Sequence, residues 1–296
     1  MLQLQVIRDQ RDKVLEGLSK RGLKNANQLV NNVIYMDTKR KETQKKLDDL
    51  KAKSNIESKK IGEMMKAGQQ NEAAQLRSNM AADKELIKSL ESELSTLEGT
   101  LTQALYAIPN VPNEKVPAGL GAEQNLNVHQ HGAIPTLLPE ALPHWDLIKK
   151  YNIIDFDLGI KISGAGFPVY KGKGAKLQRA LINFFLDEAT AIGYREMQPP
   201  IVVNEASGYG TGQLPDKEGQ MYHITMDNLY LIPTAEVPIT NLYRDLILAD
   251  AELPIKNVGY TPCFRREAGS WGAHVRGLNR LHQFDKVEIV QIRKPE

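Results

Sequence analysis

From residue 1 to 108 the chain contains no proline, and its apolar residues recur at helical spacing. Charged residues and strong helix formers dominate between Asn27 and about Met65, and again between Asn71 and about Tyr106, which predicts two long helices. In the second, Ile87, Leu90, Leu94, Leu97 and Leu101 follow one another at spacings of 3, 4, 3 and 4, the heptad rhythm of a coiled-coil seam. In the first, Val33, Met36, Leu47, Leu50, Ile61 and Met64 hold the same seam, which Arg40, Thr43, Ser54 and Glu57 interrupt and weaken. The break KAGQQNE is only a few residues long, so the helices must run antiparallel, each covering the other's apolar stripe. The pattern predicts a helical hairpin arm.

Proline then enters abruptly. Pro109, Pro112 and Pro117 in IPNVPNEKVPAGLGAEQN prevent helix continuation and mark a linker. The expected organisation is an arm domain at 1–108, a linker at 109–132 and a second domain at 133–296. From Gly174 onward, Leu177, Ala180, Leu181, Phe184, Phe185 and Glu188 follow a helical period, with Gly193 as its stop. EMQPPIVV then turns extended; Pro199 and Pro200 cannot donate to a ladder, so this strand should start at a sheet edge or an interface. TGQLPDKEGQMYHI reads as a loop, and NLYLIPTAEVPITNLYRDLI as strand, turn and helix. VGYTPCFRREAGSWGAHVRGLNRLHQFDKVEIVQI holds two β-like runs around a loop, a long hairpin. The fold class is α+β: a helical arm followed by an antiparallel sheet flanked by helices.

Composition narrows the function classes. The 296 residues are 41% apolar and 25% charged, with 38 basic against 36 acidic side chains, so any nucleic-acid surface must be a local patch. The arm has such a patch. Residues 29–66 carry 10 Lys or Arg against 6 Asp or Glu, and residues 70–102 carry 3 against 6. Lys39, Arg40, Lys41, Lys45, Lys46, Lys51, Lys53, Lys59 and Lys60 could meet a phosphate backbone, or could simply form a solvated face with cross-helix ion pairs; composition does not choose. The sole cysteine, Cys263, excludes an intramolecular disulfide and a cysteine-rich zinc site, and fits a reducing cytoplasm. No run of about 18 apolar residues exists, and MLQLQVIRDQRDKV carries charges where a signal peptide needs an apolar stretch, so neither membrane insertion nor export is expected. His129 and His131 lack a carboxylate or cysteine cluster nearby, and no metal site is expected there. The glycines of SGAGFPVYKGKGAKL match neither phosphate-loop spacing and read as turns before a helix.

Two segments carry candidate chemistry. If IPTAEV is a strand, Thr234 and Glu236 share a face while Ala235 turns away, and a hydroxyl beside a carboxylate suits an ammonium group. An exposed strand end with two polar residues would look the same. In the long hairpin Arg265 and Glu267 share a face with Arg266 opposite, and Phe284, Lys286 and Glu288 share a face on the return strand. Pointing into one pocket, these would offer a guanidinium to phosphate, a ring to a base and carboxylates to amino groups. A surface hairpin of alternating charge is the alternative, and it leaves Phe284 exposed without a reason.

FRRE, a loop and RGLNRLHQFDKVE together resemble motif 2 of the class II aminoacyl-tRNA synthetases in the form found in seryl-tRNA synthetases. TAE at 234–236 resembles their amino-acid-binding element, and the helix with EMQPPIVV resembles motif 1. IRDQRDKV, KRG and IPNVPNEKVP extend the resemblance along the whole chain. It implies a serine–tRNA ligase. Arg265 would be the catalytic residue, binding the α-phosphate and the reacting carboxylate. Arg265, Arg266, Glu267 and Phe284 would form the ATP set, with Phe284 stacking on adenine. Thr234, Ala235, Glu236, Arg265 and Glu288 would bind serine. The resemblance further implies Mg²⁺ with the ATP, a homodimer about the Pro200 region, and an arm that reads tRNA(Ser), with tRNA(Sec) as a second candidate, through Lys39, Arg40, Lys45, Lys46 and Lys53. Family members continue past QIRKPE with motif 3 and its second catalytic arginine. The expectation is therefore a chain holding the family's N-terminal two thirds, an open site, little activation activity of its own and a sheet edge prone to aggregation. A non-catalytic tRNA-binding paralogue and a coiled-coil interaction protein are the alternatives.

Overall fold

A computed structural model describes residues 2–267 and 276–294. Contacts divide the chain into two units, Met1–Ala133 and Ile134–Glu296.

The first unit begins with two short helices, α1 (Leu4–Asp9) and α2 (Arg11–Lys20), followed by the long α3 (Ala26–Lys66) and α4 (Gln70–Ala107). The two long helices end within one residue of their expected bounds. Gly68, at φ +77°, lets the chain reverse after α3, and the Gln69 N–H donates to the Met64 carbonyl at 3.0 Å to close the turn. Val33, Leu47 and Ile61 are buried along the seam, and so is Thr43, whose hydroxyl donates to Glu93 Oε1 at 3.3 Å. Arg40, Ser54 and Glu57 are half-buried at their own seam positions. Polar residues therefore sit within the seam as layers. Helical geometry fixes which positions face the partner, whatever the residue there.

The short helices α1 and α2 have no strong pattern of their own and form because of what they cover. Ile7, Val14 and Leu18 bury themselves against Val30, Val33, Leu101 and Leu105 at the base of the arm, each worth about 1.5–3 kcal/mol of hydrophobic burial. Asp37 is 1% exposed there and is held by Arg8 at 2.9 Å, Arg40 at 3.0 Å and Lys41 at 3.3 Å.

The second unit opens with α5 (His144–Tyr151), β1 (Ile154–Asp155), α6 (Phe156–Ile162) and β2 (Val169–Tyr170), with β1 and β2 paired antiparallel. Asp155 caps α6 by accepting the Leu158 N–H at 3.0 Å and pairs with Lys171 at 2.7 Å. Then comes α7 (Lys173–Ala191). Its end is closed by Gly193 at φ +88° and by the Tyr194 N–H donating to the Ala189 carbonyl at 3.1 Å. Ala189 and Leu186 pack with Tyr194, Val258 and Val287, while Leu177, Leu181, Phe184 and Phe185 stay exposed.

The remaining elements are β3 (Arg195–Glu196), β4 (Val202–Asn204), α8 (Glu205–Gly210), β5 (His223–Ile224), β6 (Leu229–Leu231), α9 (Glu236–Asn241), β7 (Ile255–Phe264) and β8 (Gln283–Ile292). They form two three-stranded sheets, in the orders β3-β7-β8 and β4-β6-β5. The long hairpin is present, with β7 and β8 antiparallel from Ile255↔Ile292 to Phe264↔Gln283. Its expected loop falls largely on residues 268–275, outside the described residues. One expectation needs correcting: the sheet is mixed, because the edge strand β3 runs parallel to β7 through Arg195↔Asn257 and Glu196↔Val258. Pro199 and Pro200 lie after β3, where the chain leaves the ladder and needs no N–H donors.

Candidate active site

Two segments about 30 residues apart in sequence meet at the end of β7. The Phe264 N–H donates to the Ile232 carbonyl at 2.8 Å, and Arg265 Nε donates to the Pro233 carbonyl at 3.2 Å. Ile232, Ala235, Val237 and Ile239 are fully buried and anchor the turn. Gly259 lets β7 run close beneath it, because a Cβ there would come within 2.6 Å of Ile239 Cδ1 and 2.9 Å of the Met197 carbonyl oxygen. The segment Thr234-Ala235-Glu236 is not the strand that alternation suggested. β6 stops at Leu231, and the chain turns directly into α9 at Glu236. Thr234 and Glu236 nevertheless face one cleft, since the tight turn brings them together while Ala235 packs inward.

The cleft encloses about 500 Å³ and is lined by Gln213, Glu218, Gln220, Pro233, Thr234, Glu236, Arg265, Glu267, Arg280 and Lys286. Three carboxylates face three cations across it, which suits a ligand carrying both signs of charge. Thr234 is 4% exposed, and its hydroxyl donates to Glu288 Oε2 at 3.0 Å while accepting from Lys286 Nζ at 3.1 Å and from the Glu236 N–H at 3.2 Å. Lys286 also pairs with Glu288. Glu267 adopts φ +46°, an uncommon conformation for a residue with a side chain, and lies 3.7 Å from Arg280. Beside the cleft, Cys263 is fully buried, and burial pushes its thiol pKa up. It is a buried core residue.

Aligned along its full length, the chain is 43% identical over 296 residues to a "Serine--tRNA ligase" of Salinibacter ruber, of which it covers 69%. The chain belongs to the seryl-tRNA synthetase family. A second relative, the "Serine--tRNA ligase" of Chlorobium luteolum, is 45% identical over 298 residues, again with 69% of its length covered. The "Seryl-tRNA synthetase N-terminal domain" description matches residues 1–112, and the "tRNA synthetase class II core domain (G, H, P, S and T)" matches residues 222–296. The crystal structure of seryl-tRNA synthetase from Pyrococcus horikoshii complexed with ATP superposes with a TM-score of 0.84 at 29% identity, over 98% of this chain and 69% of that one. The Naegleria fowleri cytoplasmic serine–tRNA ligase in complex with AMP gives 0.80 at 26% identity, over 100% and 67%.

Within this seryl-tRNA synthetase chain the expected site residues are distributed unequally. Thr234, Glu236, Arg265 and Glu267 line the cleft, and Glu288 reaches it through Thr234. Ala235 contributes a buried backbone turn and no side chain. Arg266 is exposed and outside the lining, with its N–H donating to the Gln220 carbonyl at 2.9 Å. Phe284 lies beneath the Arg265 guanidinium at 5.0 Å but borders a neighbouring apolar pocket with Leu181, Phe185 and Leu281. Sequence reasoning missed Gln213, Glu218 and Gln220, which come from a loop without periodicity. His282, outside the lining, stacks its ring on Phe167 at 5.4 Å and places Nδ1 2.8 Å from Tyr222 Oη.

On the arm, Lys39, Arg40 and Lys53 are engaged by Glu42, Asp37 and Asp83. The Asp83 hydrogen bond lifts the Lys53 ammonium above the ordinary lysine range. Lys45 and Lys46 are exposed and make no ion pair among the described residues. Lys59 and Lys60 are likewise exposed and make no ion pair among the described residues.

Proposed function

We propose that this chain carries the amino-acid-activating cleft and the tRNA-reading arm of an ATP-dependent serine–tRNA ligase. The observation that carries the proposal is the hydrogen-bonded junction of Ile232–Glu236 with Phe264–Glu267. It gathers a hydroxyl, carboxylates and a guanidinium around one cleft.

Serine would enter with its ammonium and hydroxyl groups toward Thr234, Glu236 and Glu288, which offer acceptors only such a substrate can use fully. Its carboxylate oxygen attacks the α-phosphorus of ATP; the bond from that phosphorus to the bridging oxygen breaks, and pyrophosphate leaves. The product is seryl-adenylate. Arg265, fixed by the Pro233 carbonyl, would neutralise charge on the α-phosphate and orient the attacking carboxylate, so the acceleration comes from positioning and electrostatics. Phe284 and Glu267 would hold adenine, and Arg266 would meet the nucleotide from outside the cleft. A 2′ or 3′ hydroxyl of the tRNA then takes the acyl group.

Among the described residues no group of three His, Cys, Asp or Glu could cage a metal ion. Mg²⁺ carried in on the phosphate oxygens of ATP would supply charge neutralisation there. The exposed apolar side chains of α7 support a homodimer. The arm would take tRNA(Ser), and tRNA(Sec) as a second partner, through backbone and shape contacts. No helix among the described residues is long and apolar enough to cross a membrane, and the place proposed for this chemistry is the cytoplasm.

Calorimetric binding of a non-hydrolysable seryl-adenylate analogue tests the reading. It should bind, and Glu236→Ala and Arg265→Ala should each abolish binding with unchanged circular dichroism. Binding that survives both substitutions contradicts the assignment.

A further inference from the structure

We propose that Lys286 is a positioning residue for amino-acid recognition, orienting the Thr234–Glu288 pair. The inference rests on the reading of the cleft as a serine-activating site.

Thr234 Oγ1 makes three hydrogen bonds with no ligand present. It accepts from Lys286 Nζ at 3.1 Å and from the Glu236 N–H at 3.2 Å, and it donates to Glu288 Oε2 at 3.0 Å. An ammonium and an amide N–H can only donate. The one hydroxyl proton must therefore go to Glu288, whose facing oxygen accepts it. Lys286 pairs with the same oxygen and supplies the compensating charge. The result is a hydroxyl with one orientation and a carboxylate with one rotamer, both set before the substrate arrives.

The stem of Lys286 is placed by the sheet. It stands in mid-β8 opposite the buried Thr261, on the same face as Phe284 and Glu288. Its side chain keeps 33% exposure and lines the cleft. Removing the ammonium would take one of the two donors from Thr234 and the cation from Glu288, a defect confined to the amino-acid end. ATP contacts through Arg265 and Phe284 would be untouched.

The test is serine-dependent pyrophosphate exchange by the complete gene product. Lys286→Met should lower kcat/KM for serine by at least about tenfold and leave the KM for ATP within about twofold, as expected when one partner of a partly buried charge pair is lost. Lys286→Cys should show the same defect. Alkylation with 2-bromoethylamine, which rebuilds an ammonium as S-aminoethylcysteine, should recover most of it; Cys263 is fully buried and shielded from the reagent. Lys286→Met treated in the same way should not recover. A merely structural lysine would not respond to the restored charge. Near-normal serine kinetics in Lys286→Met, equal shifts in serine and ATP parameters, or no recovery in folded, alkylated Lys286→Cys overturns this inference alone. No serine-dependent exchange by the unsubstituted protein overturns the reading of the site, and this inference with it.

Discussion

The guanidinium of Arg265 lies 5.0 Å over the ring of Phe284. A residue assigned to phosphate and a residue assigned to adenine are thus in contact before either ligand binds. The cation covers one ring face, and the proposed mechanism gives the other to the base. Phe284→Ala should raise the KM for ATP by about tenfold, at the lower end of the range for base–aromatic stacking, with the KM for serine within about twofold. Arg265→Ala should cut kcat by at least about a hundredfold through lost charge stabilisation, with a thermal midpoint within a few degrees of the parent. Steady-state exchange kinetics and calorimetry check both.

The arm gives a second test. Lys45 and Lys46 are exposed without ion pairs among the described residues, whereas Lys53 is held by Asp83 at 2.8 Å. Replacing Lys45 and Lys46 with Ala should weaken tRNA binding and flatten its dependence on log salt concentration by roughly 0.7–0.9 per lost phosphate contact. Lys53→Ala should leave that slope nearly unchanged. Filter binding from low to moderate salt distinguishes them.

These contrasts show how far the sequence alone could be read. The long helices were legible because heptad spacing reports a seam directly, and even the residues that interrupt it, Arg40, Thr43, Ser54 and Glu57, occupy seam positions. The short α1 and α2 were not, since Ile7, Val14 and Leu18 become a pattern only when set against Val33 and Leu105. The parallel pairing of β3 rests on two residues, too few to carry any periodicity. At the site, Arg265 and Glu267 reach the cleft as expected, but from beyond the end of β7 at Phe264 and with Glu267 at φ +46°, where alternation placed both on the strand. Thr234 and Glu236 reach the cleft through a turn where alternation predicted a strand. The engagement of Arg40 by Asp37 depends on contacts a charge count cannot see.

Asp37 offers a test of stability at the arm's base. It is buried among Arg8, Arg40 and Lys41, so its removal would leave several cations facing one another without a counter-charge. Asp37→Ala should destabilise the arm unit by about 3 kcal/mol in urea unfolding, the scale for breaking a buried ion pair from one side. A loss within about 0.5 kcal/mol, the scale of a neutral surface change, would show that the node is only a surface ion pair.

Asp155 predicts a pH dependence. The Lys171 hydrogen bond, followed by that from the Leu158 N–H, holds its carboxyl below the ordinary carboxylate range. A folded pKa below the unfolded value of about 3.9 means stabilisation that is present above that pH and lost as pH falls through the folded pKa. Asp155→Asn keeps a capping oxygen and removes the charge. It should be less stable than the parent at neutral pH, with the gap closing only below about pH 4. Thermal melts across that window report it.

The most direct measurement of the central claim is amino-acid-dependent exchange of labelled pyrophosphate into ATP by the complete gene product. Serine is predicted to support exchange, while alanine, threonine and cysteine at equal concentration do not. Exchange that is driven as well by another amino acid, or that never depends on serine, would contradict the account.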